Sequence, residues 1–304
     1  MIALLLIFLL GVMTPIQTAA NARLRLSVGT PLIASLVSFA IGSIYLSAAT
    51  FIEKGTLSIS TDIIAGLPWW AWLGGICGLY GLTVNIIIFP KLGSVQTALM
   101  PMLGQITTGI LVDTFGWLKA PVYELSVMRI TALCFILGGI FMVIHKKEPG
   151  HNRQHGLLPW QIIGFSGGAI FAMQPPMNSL LSEGLGSAIH AALITFYSAT
   201  VILLGIVVAM SDNRRHIPMI FSLDRPWWSW LGGIIGGTFV TGFAFFAAKV
   251  GVGVLLVTSI CGMLAMSLAI DRFGILGAAK KQIGFVQYAG LLLVIAGIAF
   301  LRLY

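Results

Sequence analysis

The chain has 304 residues, of which 58% are hydrophobic and only 9% are charged. A soluble domain carries charge on about a quarter of its residues, because its surface must face water. The composition therefore excludes soluble enzymes, nucleic-acid-binding proteins and disordered chains, and it predicts a protein whose outer surface contacts lipid. The formal net charge of +8 does not indicate nucleic acid, because Lys and Arg lie in short loops between apolar segments.

Ten apolar segments are long enough to cross the hydrocarbon core of a bilayer, which takes about 20 residues. Backbone groups in lipid must be satisfied internally, and the segments lack the alternation of barrel strands, so we expect helices. The segments are 2–21, 31–52, 69–89, 93–112, 125–144, 158–181, 188–210, 227–248, 252–270 and 283–302. The sequence therefore predicts an all-α integral membrane protein.

The second half of the chain repeats the first. At a shift of 157 residues, polar and aromatic residues of the halves align: Gln17 with Gln174, Asn21 with Asn178 and Phe39 with Phe196. At a shift of 158, the Pro-Trp-Trp segment 68–75 aligns with 226–233, and Lys91, Asp113 and Gly116 align with Lys249, Asp271 and Gly274. Apolar bias alone does not place charged residues, prolines and a tryptophan cluster in one register.

Each half contains five predicted helices, and an odd number turns the second half upside down in the membrane. The sequence thus predicts ten transmembrane helices as two inverted five-helix repeats, related by a pseudo-two-fold axis in the membrane plane. The first repeat covers 1–145, a polar linker covers 146–156, and the second repeat covers 157–304.

The distribution of Lys and Arg between the loops predicts the orientation. Twelve basic residues fall on one side of the membrane: Arg23, Arg25, Lys91, Lys146, Lys147, Arg153, Arg214, Arg215, Arg225, Arg272, Lys280 and Lys281. Four fall on the other side: Lys54, Lys119, Lys249 and Arg302. We therefore expect the linker in the cytoplasm and both termini outside.

Two pairs of amide side chains lie inside predicted spans, where polar groups are costly and often functional. Gln17 and Asn21 are spaced i, i+4 and share one helix face, as do Gln174 and Asn178. Pro15 precedes the first pair, and two prolines at 175–176 lie within the second. Broken helices at matching positions of two repeats indicate the binding site of a transporter. The alternative is that the amides form hydrogen bonds between helices.

Further polar residues occur in the first half alone. Asn85 and Gln105 lie in predicted spans, and each is either a substrate contact or a packing amide. Arg129 lies about one turn inside the fifth span and needs an anionic partner. Asp113, at the same membrane side, is the expected partner and gives an ion pair; otherwise Arg129 attracts an anionic group of a substrate.

No pattern in the sequence indicates catalytic residues, a metal site or a cofactor. The fused inverted repeat and the paired polar helix breaks make a membrane-embedded secondary transporter for a small molecule the leading hypothesis. Because both repeats are in one chain, a monomer is sufficient, and a homodimer is also compatible with the sequence. A membrane-embedded enzyme acting on a lipid-linked substrate and a non-transporting membrane scaffold are the alternatives.

The motifs resemble those of the YdcZ-like inner-membrane exporters of the drug/metabolite transporter superfamily. The residues that carry the resemblance are Pro15, Gln17, Asn21, Pro31, Phe39, Gly42, the Trp72–Gly75 segment, Gly104, Gln105, Asp113, Gly116 and Arg129. Both halves share the likeness, although Met263 and Gln287 stand at the positions of Gln105 and Arg129. The resemblance implies a bacterial inner-membrane carrier in which two five-helix units are fused.

Overall fold

The computed structural model describes residues 2–124, 126–144, 156–210, 218, 226–275 and 283–302, and these residues form helices without a strand. In the first half the helices are α1 (Ile2–Val28), α2 (Pro31–Lys54), α3 (Thr61–Gly66), α4 (Gly74–Phe115) and α5 (Val127–Ile144). In the second half they are α6 (Leu158–Phe171), α7 (Gln174–Leu185), α8 (Ala188–Ala209), α9 (Leu231–Val250), α10 (Val252–Phe273) and α11 (Phe285–Arg302).

Among the described residues, short 3-10 helices cover Trp69–Leu73 before α4, Trp117–Lys119 after α4 and Trp227–Trp230 before α9. The predicted linker lies outside the described residues, apart from Gly156.

The starts of α2 and α8 use the same local chemistry. Thr30 and Ser187 are aligned in the repeat, and each has extended backbone angles and a side-chain oxygen that accepts an N–H three residues on. Such a cap satisfies an amide group that has no partner within the helix. The repeat seen in the sequence therefore extends to the way in which equivalent helices begin.

The proline pattern has different outcomes in the two halves. The predicted segment 158–181 is interrupted after Phe171, and α7 begins at Gln174. Pro175 and Pro176 fall in the first turn of α7, where backbone N–H groups have no helical partner and proline is tolerated. Pro15 instead lies inside the continuous helix α1, so the predicted break in the first helix is wrong.

The predicted segments 69–89 and 93–112 are not separate helices, which corrects that part of the sequence analysis. Both belong to the 42-residue helix α4, preceded by a 3-10 turn. In the second half the equivalent helices α9 and α10 are separated by Gly251, whose φ of +83° lies in the region that favours glycine. In α4 the chain remains helical at this point, so its amide groups are satisfied within the helix.

The chain forms two compact units, and each unit draws on both halves of the sequence. Unit A comprises Met13–Ile76 and Gln174–Ala247, whereas unit B comprises Met1–Val12, Cys77–Met173 and Ala248–Tyr304. The compact units therefore do not coincide with the sequence repeats, whose proposed boundaries stay a prediction.

In unit A the equivalent helices α2 and α8 pack against each other and run antiparallel. Near their middle, aligned residues meet: Phe39 and Phe196 have ring centroids 5.0 Å apart, and Ser43 Oγ lies 3.2 Å from Thr200 Oγ1. Further along, the end of α2 reaches the start of α8, where Ser187 donates to Glu53. Residue numbers thus fall along one helix while they rise along the other.

Glycines allow close contacts between the helices of unit A, and each contact occurs twice, with the two halves exchanged. A methyl group at Gly233 would overlap the backbone of α2 at Ser38 and Gly42. A methyl group at Gly75 would overlap the backbone of α8 at Thr195 and contact the backbone at Ala199. In the repeat, Thr195 is aligned with Ser38 and Ala199 with Gly42. When a contact recurs with the two partners exchanged, the partners are related by a two-fold rotation.

Unit B contains the same reciprocity between α5 and α11. A methyl group at Gly139 would meet the carbonyl oxygen of Gly290, and one at the aligned Gly297 would meet that of Ala132. These two helices also run antiparallel, because position 139 lies beside 290 and position 132 beside 297. Their buried side chains form one core with α4 and α10, including Ile106, Ile136, Ile140, Val257, Ile260, Leu264 and Val294.

A second reciprocal pair of contacts in unit B joins α4 to α6 and α10 to α1. Gly104 of α4 lies against the backbone of α6 at Phe165, and the aligned Gly262 of α10 lies against α1 at Phe8. Close backbone approach at small residues is the usual basis of helix association in membranes.

Several described helices meet the requirements of a membrane span. Five are long and apolar enough to cross a bilayer by length and composition: Ile2–Val28, Pro31–Lys54, Ala188–Ala209, Trp227–Val250 and Val252–Phe273. Two shorter apolar helices cover Val127–Val143 and Phe285–Phe300. Large apolar side chains such as Ile44, Ile52 and Leu292 are exposed, as expected for a surface that faces lipid.

Replacing Gly233 with alanine should destabilise the protein, because the added methyl group has no room beside the backbone of α2. We expect a loss of about 1–3 kcal/mol, the usual cost of overpacking. Gly205→Ala is the matched control, since no atom lies within 4 Å of a methyl group there. Thermal unfolding in detergent should show a lower Tm for the first variant alone. Equal melting temperatures would contradict the helix contact.

Candidate functional site

The two predicted amide pairs both lie in unit A, one on α1 and the other on α7. Gln17 and Asn21 are half-buried, whereas Gln174 and Asn178 are only 5% and 1% exposed. The i, i+4 spacing places each pair on one helix face. The four candidate residues of unit A therefore come from both halves of the sequence.

Asn21 lies against a helix of the other half. Its Oδ1 atom occupies the space that a methyl group at Gly232 would take, at the start of α9, and Ser38 Oγ lies next to the same space. This oxygen is buried and accepts no hydrogen bond from the described residues. A buried acceptor without a partner is costly, so it marks a place where a donor can bind.

Asn178 occupies the equivalent place with the halves exchanged. Its Oδ1 atom lies where a methyl group at Gly74 would be, at the start of α4, and it accepts a hydrogen bond from Thr195 Oγ1 at 2.8 Å. Thr195 is aligned with Ser38, and Gly74 with Gly232. The Nδ2 group of Asn178 is buried and has no acceptor among the described residues. The two asparagines thus leave one acceptor and one donor unsatisfied.

Gln17 lies one turn from Asn21 and faces α9. Its Nε2 atom is 2.6 Å from the position of a methyl group at Gly236, and the Phe196 ring borders the same space. Phe196 packs on Phe39, so this amide lies beside the aromatic pair at which α2 and α8 meet.

A row of hydroxyl groups runs along the same helices of unit A. Ser47 Oγ lies 2.6 Å from the hydroxyl of Tyr197, and Tyr45 Oη lies 3.4 Å from Thr238 Oγ1. These groups are uncharged, like the amides. The polar groups beside the amides on these helices are therefore neutral donors and acceptors within an apolar helical frame.

The structure places the other two predicted site amides elsewhere. Asn85 and Gln105 both lie on α4 in unit B, where Asn85 is exposed and Gln105 is half-buried. A role for either of them in substrate binding stays a prediction.

Asp113 has a structural partner that the sequence did not reveal. Its carboxylate is 2% exposed and accepts the backbone N–H groups of Val252 at 2.6 Å and Gly253 at 2.8 Å. These are the first amides of α10, which have no partner within their own helix. A carboxylate is also favoured at this end by the helix dipole. Asp113 therefore fixes the start of α10 to the end of α4.

Arg129 lies near Asp113 and interacts with it electrostatically, but its closest contacts are different ones. The guanidinium lies over the ring of Tyr123, 4.9 Å from the centroid, and donates to Glu124 O at 3.5 Å. Arg129 and Asp113 line one small pocket of about 20 Å³, which has room for about one water molecule. The expected proximity is present, while the hydrogen bonds to Asp113 come from the backbone.

The sequence analysis missed the small residues that contact the amides. Gly74, Gly232, Ser38 and Thr195 receive or flank the two asparagines. The glycine pair was visible as part of the repeated Trp-Leu-Gly-Gly segment. Its role was not visible, because the helices that pack together belong to opposite halves of the chain.

Comparison with known proteins bears on the whole chain. A model of the family described as "Putative inner membrane exporter, YdcZ" matches residues 2–142 and again residues 159–300. The chain belongs to the YdcZ family. The double match confirms the two-repeat form that the sequence predicted.

Other comparisons give the fold but no activity. No curated protein matches the chain. A solved structure titled "Crystal structure of protein" has a TM-score of 0.66 and 13% sequence identity, and the match covers 99% of this chain and 96% of the other. At that identity the likeness concerns the fold alone.

Membership of the YdcZ family and the apolar helices make the chain a multi-pass protein of the inner membrane and place it among exporters. Within this two-repeat member, Gln17, Asn21, Gln174 and Asn178 occur in both halves, whereas Asn85, Gln105 and Arg129 have no counterpart of the same type. The amides found in both halves are also the ones that the fold gathers in one unit.

Replacing Asp113 with alanine should destabilise this YdcZ-family protein, because two buried N–H groups at the start of α10 would lose their acceptor. Each unpaired group costs about 1–3 kcal/mol. Asp62→Ala is the control, since Asp62 is exposed on the short helix α3. Thermal unfolding of both variants measures the difference. Wild-type stability in the Asp113 variant would show that the α10 cap is dispensable.

Proposed function

We propose that this YdcZ-family protein is a secondary transporter that exports a small polar metabolite or drug-like solute across the bacterial inner membrane by alternating access. The observation that carries the proposal is the exchanged amide arrangement of unit A. Each asparagine contacts a helix start in the opposite half, and each leaves one buried hydrogen-bonding group without a partner among the described residues.

The proposed binding residues are Gln17, Asn21, Gln174 and Asn178. Gln17 and Gln174 have long side chains one turn from the asparagines, so they can turn towards a solute. The asparagines are held against glycine and offer the unpaired acceptor of Asn21 and the unpaired donor of Asn178. A solute that pairs with these groups gains hydrogen bonds in a setting where water is scarce.

The expected substrate is neutral or zwitterionic, because these groups carry no net charge. Buried amides offer donors and acceptors together, which suits hydroxyl, amide or amino-acid groups. Aromatic surface from Phe39 and Phe196, and the hydroxyl of Tyr197, would complement such a solute. If the substrate instead carries an anionic group, Arg129 is the residue available to attract it.

We also propose that the two halves form inverted repeats. The antiparallel packing of α2 on α8 and of α5 on α11 supports this arrangement, because each pair consists of aligned helices. Antiparallel equivalents cross the membrane in opposite directions, whatever the number of crossings assigned to α4. Both repeats are in one chain, so a monomer would be sufficient for transport.

The binding residues can be tested with Gln17→Leu and Gln174→Leu, singly and together. Amino acids, polyols, sugars and organic cations should be screened for an increase in Tm, which for a bound ligand grows with its concentration. We expect neutral or zwitterionic compounds to stabilise the wild type and not the double variant. Transport of the best compound into proteoliposomes should be lost in the double variant.

Gln287→Leu is the matched control for that experiment. It is the same substitution in the second half, at a half-buried side chain that accepts the Gly284 N–H. The control should bind and transport like the wild type. Transport at the wild-type rate by the Gln17→Leu, Gln174→Leu double variant would refute the proposed site and direct attention to Asn85 and Gln105.

The orientation can be tested by cysteine labelling, after replacement of Cys77, Cys134 and Cys261. A cysteine at Gly150 in the linker should resist a membrane-impermeant maleimide in intact cells and react in inverted vesicles. A cysteine at the exposed Thr56 should show the opposite pattern, because it lies on the side predicted to face outward. Labelling at position 150 in intact cells would contradict the Lys/Arg count.

A further inference from the structure

The turn between α7 and α8 holds the end of α2 through two charged side chains. Lys54 Nζ donates to the carbonyl oxygen of Leu185, the last residue of α7, and Ser187 Oγ donates to Glu53 Oε2. Ser187 also caps α8 by accepting the N–H of His190 at 3.0 Å. Each charge thus lies at the helix end that favours it, the cation at a carboxyl end and the carboxylate at an amino end.

A buried histidine lies directly behind this turn. The His190 side chain is 2% exposed, and neither of its ring nitrogens makes a hydrogen bond with a described residue. Lys54 and Glu53 act on the ring electrostatically, and the backbone of Leu57 interacts weakly with it, outside hydrogen-bonding geometry. A buried charge without a partner is costly, so the ring is neutral in this arrangement.

Glu53 and Lys54 are the charged side chains that act on His190 among the described residues. α7 and α3 each carry one charged residue, Glu183 and Asp62, and both are exposed. The apolar neighbours of the turn form one cluster, in which Leu181, Leu185 and Ala191 pack with Ile59, Ile63, Leu67, Trp72 and Ile194. His190 is the group of this region that can change charge between about pH 5 and 8.

We propose that His190 binds a proton, and that binding releases the end of α2 from the α7–α8 turn. A proton on the ring places a second positive charge beside Lys54 and at the amino end of α8, where a cation is disfavoured. The imidazolium also competes with Ser187 for the carboxylate of Glu53. The proposal rests on the carrier function above, for which His190 would be the site of proton coupling.

Two observations support a coupling role at this position. The acidic residues of the sequence all lie outside the middle of the predicted spans, and the buried carboxylate of Asp113 is already engaged by two backbone N–H groups. In addition, the residue aligned with His190 in the first half is Ile33, which is buried and apolar. The proton site therefore occurs at one end of the α2–α8 pair only, which gives a symmetric fold a direction.

The proposal can be tested with a buried thiol. Ala191, next to His190, is 0% exposed and is changed to cysteine in a chain whose native cysteines are replaced. Maleimide labelling is measured in detergent from about pH 8 to about pH 5.5, across the titration range of histidine. Dividing each rate by that of an exposed Thr56→Cys control at the same pH removes the effect of thiol ionisation.

The normalised rate should rise about tenfold as the pH falls, which corresponds to a modest shift between two states. In the His190→Gln background it should stay low, and with Ser187→Ala it should be raised at every pH. A flat wild-type rate, or an unchanged rise in His190→Gln, overturns the proposal. If that variant does not fold, His190→Asn replaces it.

Histidine resonances of the isotope-labelled wild type provide a measurement that needs no variant. The His190 ring should titrate over the same range as the thiol, and a ring that stays neutral down to about pH 5 overturns the proposal. Both measurements read the turn directly and need no solute. A negative result therefore leaves the carrier function intact, whereas a titrating turn in a protein that transports nothing refutes the carrier function alone.

Discussion

Close approach of helix backbones at glycine is the constraint on which the rest of this structure depends. In lipid there is little hydrophobic force to hold helices together, so packing at small residues replaces it. Gly74 and Gly232 leave room for the asparagine side chains, and Gly75 and Gly233 bring α4 and α9 against the backbones of α8 and α2. A larger residue at any of these positions would displace either the amides or the helices that carry them.

The polar groups are organised by the same contacts. Asn21 and Asn178 could not lie against opposite halves of the chain unless those halves were interleaved within unit A. In unit B, the carboxylate of Asp113 joins two helices by capping the start of α10. One set of buried polar residues therefore stabilises the fold, and another is left with unpaired atoms. That difference is the physical reason for proposing the amides, and not the aspartate, as substrate-binding residues.

Much of the fold could be predicted because hydropathy reports which segments enter lipid. α2, α8 and α10 begin where their apolar segments begin, and the family match confirms the repeat. The joining of two segments into α4 could not be predicted. Gly93 and Gly251 occupy aligned positions of the repeat, but only Gly251 adopts a positive φ and interrupts its helix. The contacts of the amides were hidden for a related reason. They depend on which helices of opposite halves become neighbours, and hydropathy carries no such information.

The meeting of Phe39 with Phe196 has a consequence for how such a chain can evolve. The two phenylalanines are one position of the repeat, so in a carrier assembled from two identical copies a single codon would supply both sides of the contact. Any substitution there would change both sides of the contact at the same time. Once the copies are joined in one gene, either side can change while the other compensates. The divergence of Gln105 from Met263, and of His190 from Ile33, is a specialisation that a carrier built from two identical copies could not have.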